Sequence, residues 1–267
     1  MDKSGIVTFD SVPDGDVINF GIGQPSPDLL PVKLLREATA DFLEKAQPLE
    51  LNYGERQGDR RFRESLAAFL SRHYESPVTP ESLIVSGGNS QALDFVCGLF
   101  TQPGDTIFIE EPTYFLAHRI FADHGLNVVG IPMDGDGLRT DILREKLANH
   151  RPALLYTIPS YHNPCSCTLS GERRRELAAL SREHGFVVAA DEVYQMLFYG
   201  DEPPPPAMGT LIDQGNILSL GSFSKIMAPG LRLGWIQASA HLVDRIMQTG
   251  VINSGGSFNH FTSQVMR

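Results

Sequence analysis

The sequence predicts an α/β fold: a mostly parallel sheet covered by helices on both faces. Three observations lead there. From Leu83 onward, short apolar runs alternate with amphipathic stretches of helical spacing. Those runs are continuously apolar, as strands buried on both faces are. The chain has 267 residues, of which 42% are hydrophobic and 20% charged, the make-up of a globular protein long enough to bury a large core. One large domain, or one with part of a smaller one, fits that length.

The elements follow in order. Up to about Pro48 an extended VINFGIGQPSP precedes a helical VKLLREATADFLEKA, and GDRRFRESLAAFLSRHY from Gly58 reads as a second helix. The runs LIVSGG, TIFIEE, NVVGIP, ALLYTIP, FVVAADE, NILSLGS and LRLGWIQAS are strand-sized and mostly rich in Val, Ile, Leu and Phe. Between them lie NSQALDFVCGLF, YFLAHRIFADHG, LRTDILREKLANH and GERRRELAALSREHG, helical in spacing and several closed by glycine. The proline-rich GDEPPPPAMGTLIDQG reads as a surface connection. No internal repeat or low-complexity tail is seen.

A net charge of −10 argues against nucleic acid or an anionic membrane as main partner, without excluding a small anionic ligand that answers to local charge. The first residues show no apolar signal region and no run reaches membrane-spanning length, so a cytoplasmic location is expected. The three cysteines, Cys97, Cys165 and Cys167, form no disulfide framework, and a lone C-x-C with a distant third cysteine is a poor metal motif.

In a parallel sheet, ligands bind at the carboxyl ends of the strands. The glycine turn after LIVS opens directly into a helix and offers Gly88, Asn89 and Ser90 to a phosphate. Tyr114 follows the next strand, where its ring could stack on a flat ligand. Asn163 sits in a turn after ALLYTIP, and Asp191 ends FVVAAD with Tyr194 three residues on. Ser222, Ser224 and Lys225 follow NILSLG, in the loop before LRLGW, and Arg232 comes seven positions after the lysine.

Taken singly these are weak signals: most glycine turns bind nothing, most tyrosines are core residues and most lysines are solvated. Together they fit a phosphate-bearing aldehyde with an aromatic nitrogen, and pyridoxal 5′-phosphate is such a molecule. Lys225 would form the Schiff base, and Asp191 would keep the ring nitrogen protonated so that the ring withdraws electrons. Asn163 and Tyr194 would hold the phenolic oxygen. The glycine turn, Ser222 and the planar fork of Arg232 would hold the phosphate. Arg232 and the protonated ring would lower the pKa of Lys225.

With these residues in place, the chain resembles the fold-type I aminotransferases of class I/II, in the branch of the aminoadipate, kynurenine and aromatic aminotransferases. The resemblance rests on NFGIGQPSP, YGERQGDRRFRESL, SGGNSQAL, EPTY, HNP, DEVY and SFSKIMAPGLRLGW, in order along nearly the whole chain. It implies a three-layer sandwich as the large domain of a pyridoxal-phosphate transferase, with an incomplete small domain. Residues 1–48 would be an N-terminal arm and part of the small domain, 49–240 the cofactor-binding domain, and 241–267 the start of an inter-domain helix.

The implied activity is ping-pong transfer of an amino group between an L-amino acid and a 2-oxo acid, in a homodimer. By resemblance Tyr53 would reach the neighbouring subunit's phosphate, and Gly23 and Asn163 would lie against the substrate. Two departures are noted. The asparagine turn continues NPCSC where the family has Pro-Thr-Gly, and His162 beside it is read as a loop histidine. No residue matches the arginine that grips the substrate's α-carboxylate, which the resemblance places in a C-terminal segment beyond Arg267. Other chemistry on the same cofactor, β-elimination or decarboxylation, and a cofactor-binding form without turnover remain alternatives. A cofactor-sensing regulator is not expected, because no DNA-binding helical region is read ahead of the site.

Overall fold

Strand-sized apolar runs assemble into one eight-stranded sheet in the computed structural model, which describes Gly23 and residues 25–267. The strands are β1 (Leu83–Ser86), β2 (Thr106–Glu111), β3 (Asn127–Asp134), β4 (Gly137–Leu138), β5 (Pro152–Thr157), β6 (Val187–Asp191), β7 (Ile217–Ser222) and β8 (Gly234–Ala238). Across the sheet they run β1-β8-β7-β6-β5-β2-β3-β4. From β7 through β6, β5 and β2 to β3 every pairing is parallel. The expected seven runs are all present. The strand made by LRLGWIQAS, however, is antiparallel to both its neighbours, β1 and β7. Only the eleven residues Phe223–Leu233 separate it from β7, which is short for a parallel crossover.

The helices are α1 (Val32–Lys45), α2 (Arg60–Tyr74), α3 (Asn89–Phe100), α4 (Ala117–Asp123), α5 (Thr140–Leu147), α6 (Gly171–His184), α7 (Ala240–Met247), α8 (Gly250–Gly255) and α9 (His260–Val265). Alternation along the strands divides the core between two faces. Ile107, Ile109, Leu154, Tyr156, Ala189, Leu218 and Leu220 pack with α3, α4 and α7. Phe108, Leu155, Val188, Ala190 and Ile217 pack with α5 and α6 on the other face, and α2 covers Val85 and Trp235. The result is three layers. Local signals set the helix ends: Asp59 accepts a hydrogen bond from the Phe62 amide at the start of α2, and Gly185 closes α6 in a left-handed conformation (φ 77°).

Residues 241–267 do not begin one long helix. They form α7, α8 and α9, interrupted at Gln248 and Thr249 and again from Gly256 (φ 77°) to Asn259 (φ 54°), these last two having positive φ. Helix α4 is also shorter than the spacing predicted, because Tyr114 and Phe115 remain in the loop ahead of it. The extended stretch read at Val17–Pro27 lies mostly outside the described residues. No helix of the described residues is long and apolar enough to cross a membrane.

Candidate active site

Strands β1, β2, β5, β6 and β7 run in one direction, so their carboxyl ends open on one edge of the sheet, where a cavity of about 510 Å³ lies. Gly23, Asn89, Ser90, Tyr114, Asn163, Asp191, Tyr194, Ser222, Lys225 and Arg232 all line it. These ten side chains and backbone positions come from stretches far apart in the chain, and the sheet brings them together.

Asp191 stands at the foot of the cavity. Its Oδ2 accepts from Tyr156 Oη at 2.9 Å and its Oδ1 from Asn89 Nδ2 at 2.6 Å. Burial raises its pKa; the Asn89 and Tyr156 hydrogen bonds and the charge of Lys225 act in the opposite direction. Lys225 donates from Nζ to the Gly23 carbonyl at 2.7 Å. Its pKa is lowered by burial, while Asp191 pulls it upward. Burial is thus the cause of the lowering, in place of the expected neighbouring arginine. The phenols of Tyr114 and Tyr194 are pushed up by burial first, then by the charge of Asp191 and, for Tyr114, by Tyr194. Both therefore stay protonated at neutral pH and serve as donors.

The phosphate-type residues gather at one end. Gly88 has φ 91°, a conformation that favours glycine, and a Cβ there would lie 3.0 Å from Arg232 Nη2. The guanidinium therefore lies close over the glycine turn. Arg232 itself is left-handed (φ 46°), and Asn259 Nδ2 donates to the carbonyls of Leu231 (2.9 Å) and Arg232. Ser222 Oγ donates to Ser224 Oγ at 2.9 Å and accepts from the Ser224 amide at 3.1 Å. Both hydroxyls border the cavity.

A sequence profile of the family "Aminotransferase class I and II" matches residues 15–256. The chain belongs to this family. An aromatic-amino-acid aminotransferase of Thermococcus litoralis is 35% identical over 240 residues, covering 88% of this chain and 57% of its own length. A Bacillus subtilis protein named as an uncharacterized HTH-type transcriptional regulator, YisV, is 32% identical, over 91% of this chain and 50% of its own. The crystal structure of LysN, the α-aminoadipate aminotransferase of Thermus thermophilus complexed with N-(5′-phosphopyridoxyl)-L-leucine, superposes with a TM-score of 0.81 at 29% identity. That match covers 92% of this chain and 62% of LysN. The chain thus spans a little over half the length of its curated relatives.

Within this aminotransferase fold, Tyr53 is not brought into the cavity; it is 83% exposed on the surface. His162 is not a free loop residue. It is buried, with Nε2 3.0 Å from Glu110 Oε2 but off the hydrogen-bond line. Glu110 accepts from Thr157 Oγ1 (2.7 Å) and the Ile158 amide (2.8 Å), and His162 Nδ1 accepts from the Cys165 amide (3.3 Å). The pair anchors the turn that presents Asn163. Sequence reasoning missed Tyr156, whose signal was one polar tip within ALLYTIP, and the apolar wall of Leu93, Ile120 and Ile158.

Proposed function

We propose that this chain carries the pyridoxal-phosphate site of an aminotransferase that moves an amino group between an L-amino acid and a 2-oxo acid. The observation that carries the reading is Lys225: an amine of lowered pKa in a cavity whose floor is an enclosed carboxylate and whose far end holds Arg232 over a glycine turn. The donor set fits the cofactor. An acid faces where a ring nitrogen would need a proton, two phenols and an amide line the wall between, and an arginine, a glycine turn and two hydroxyls can cradle a phosphate.

When bound, pyridoxal 5′-phosphate supplies a ring that withdraws electrons from a carbon beside its aldehyde. Lys225 would supply the neutral amine that holds the aldehyde end of the cofactor, and as a free amine would move a proton from the substrate α-carbon to the carbon beside the ring. Asp191 would hold a proton at the ring nitrogen. Asn163 and Tyr194 would orient the phenolic oxygen, and Tyr114 would pack on the ring. Ser90, Ser222 and Arg232, with Gly88 beneath the guanidinium, would hold the phosphate. Gly23, whose carbonyl accepts from Lys225, would lie against the substrate.

The division at residues 48 and 240 belongs to the same reading; the whole sheet, Leu83 to Ala238, falls between them. So does a homodimer in the cytoplasm. Support for the dimer is the exposed apolar run Leu29, Val32, Leu49, Leu51 and Tyr53 (59–83% exposed) near the amino end. The second reading is a form that binds the cofactor without turnover; a relative named as an HTH-type transcriptional regulator matches the chain over half of that relative's length.

The deciding experiment is a visible spectrum of the purified chain with pyridoxal 5′-phosphate, before and after glutamate. The expected result is a band that disappears in Lys225→Ala and that glutamate converts to the spectrum of the aminated cofactor. A band indifferent to amino acids supports the form without turnover; no band in a folded sample overturns the reading. In a version that turns over, Lys225→Ala is expected to lower the rate on the order of 10³-fold.

A further inference from the structure

Asn89 was expected at the phosphate, as the first helical residue after the glycine turn. Its side chain points elsewhere. Nδ2 donates to Asp191 Oδ1 at 2.6 Å and to the Leu220 carbonyl at 3.1 Å, while its own Oδ1 is buried without a partner among the described residues. The amide cannot be turned over, because a flip would set oxygen against two acceptors. An asparagine with one half of its amide orphaned is a costly packing residue; the strong contact here is the one to the carboxylate.

The sheet explains how three elements meet. Tyr156 and Asp191 lie on the α3 face of β5 and β6, Tyr156 pairing with Ala189 two residues before Asp191. Leu220 is the register partner of Asp191 on β7. Asn89 therefore bridges an acid on one strand to a carbonyl on the next, and Tyr156 takes the other carboxylate oxygen at 2.9 Å. We propose that Asn89 is a positioning residue: with Tyr156 it clamps the two oxygens of Asp191, fixing the carboxylate plane toward the cavity, and it does not bind the phosphate. The proposal rests on the cavity being a pyridoxal-phosphate site.

The clamp takes one lone pair on each oxygen and leaves another free. It also stabilises the anion against burial, alongside Lys225 from the loop after β7; the phenols of Tyr114 and Tyr194 are the other titratable groups facing it. Removing Asn89 should therefore make Asp191 harder to ionise.

Two measurements test this. In the cofactor-free chain carrying ¹³C-labelled aspartate carboxyls, Asp191 is identified by Asp191→Asn and titrated. Asn89→Ala is expected to raise its proton affinity roughly tenfold or more, as loss of a charged hydrogen bond implies, and Tyr156→Phe to move it in the same direction. An unchanged midpoint in Asn89→Ala overturns the clamp; if that variant does not fold, Asn89→Ser is titrated with the same criterion. In the second, affinities for pyridoxal, pyridoxal 5′-phosphate and inorganic phosphate are compared. Asn89→Ala should weaken the first two by the same factor and leave phosphate unchanged, whereas Arg232→Gln should spare only pyridoxal. Loss confined to the two phosphate-bearing ligands in Asn89→Ala would make Asn89 a phosphate ligand. If the unaltered chain binds no pyridoxal 5′-phosphate, the cavity reading fails, and the carboxyl titration still decides the clamp.

Discussion

At the scale of a residue, Lys225 is governed by two opposed influences. Burial favours its neutral form and Asp191 favours its charged form. Because burial wins, the amine is expected to lose its proton below the ordinary lysine range. The rate at which it attacks an added aldehyde should therefore rise with pH and level off earlier than for an exposed lysine. The sign of the second effect gives an internal control. Asp191→Asn removes the influence that raises the pKa, so the midpoint should fall further. Stopped-flow attachment of pyridoxal 5′-phosphate across pH 6–11 reads both (~5 pH units spans the lysine range). A midpoint that rises in Asp191→Asn would mean the two groups do not sense each other. Cys97, in the core on α3, shows the same logic without function: burial pushes its thiol up to about 12, making it inert packing.

At the scale of elements, the loops that carry Asn163 and Tyr194 are held from beneath by Arg174, which is 1% exposed on α6. Its guanidinium donates to the carbonyls of Leu169 (2.9 Å), Pro159 (2.8 Å) and Pro206 (3.0 Å), and to Ser160 Oγ (2.8 Å) and Gln195 Oε1 (3.2 Å). Glu192, 3.9 Å from the guanidinium, accepts from the amides of Met208 and Gly209 and from Ser219 Oγ. Arg174→Met would leave that carboxylate buried beside an apolar chain. The expected cost is about 3 to 5 kcal/mol of stability by urea unfolding, with faster proteolysis between Leu197 and Pro206. A cost within the range of an ordinary surface change would show that the network is dispensable.

This network also marks where sequence reasoning stopped. Continuous apolar runs disclosed the strands, and the polar residues at their ends disclosed the cavity, because both are local patterns. Arg174, Glu110 and His162 looked like ordinary helix, strand and loop residues, since their meaning lies in partners up to 52 positions away. The reversed direction of β8 does not show within LRLGWIQAS, which reads alike either way; its signal lay in the eleven-residue connection from β7, short for a parallel crossover. Asn89 was assigned to the phosphate from its place after the glycine turn, whereas its rotamer is set by Asp191, 102 residues on.

At the scale of the whole molecule, the reading of Tyr53 as a residue acting across a subunit boundary has a test that does not depend on seeing the interface. The cavity holds Lys225 and lacks Tyr53, which lies 83% exposed beside Leu49 and Leu51. If Tyr53 serves the partner's site, Tyr53→Ala and Lys225→Ala each disable every site of their own homodimers. In a hybrid of the two, one site receives Lys225 from one subunit and Tyr53 from the other, and is intact. Random reassortment into dimers would then restore roughly a quarter of the sites. The readout is borohydride-trapped cofactor at a concentration too low for Tyr53→Ala alone to be labelled. Restoration to that level is expected on mixing after partial unfolding and refolding. Labelling that stays at the level of the unmixed variants would mean that Tyr53 acts within its own chain or not at the phosphate, and the apolar run from Leu29 to Tyr53 would then need another occupant.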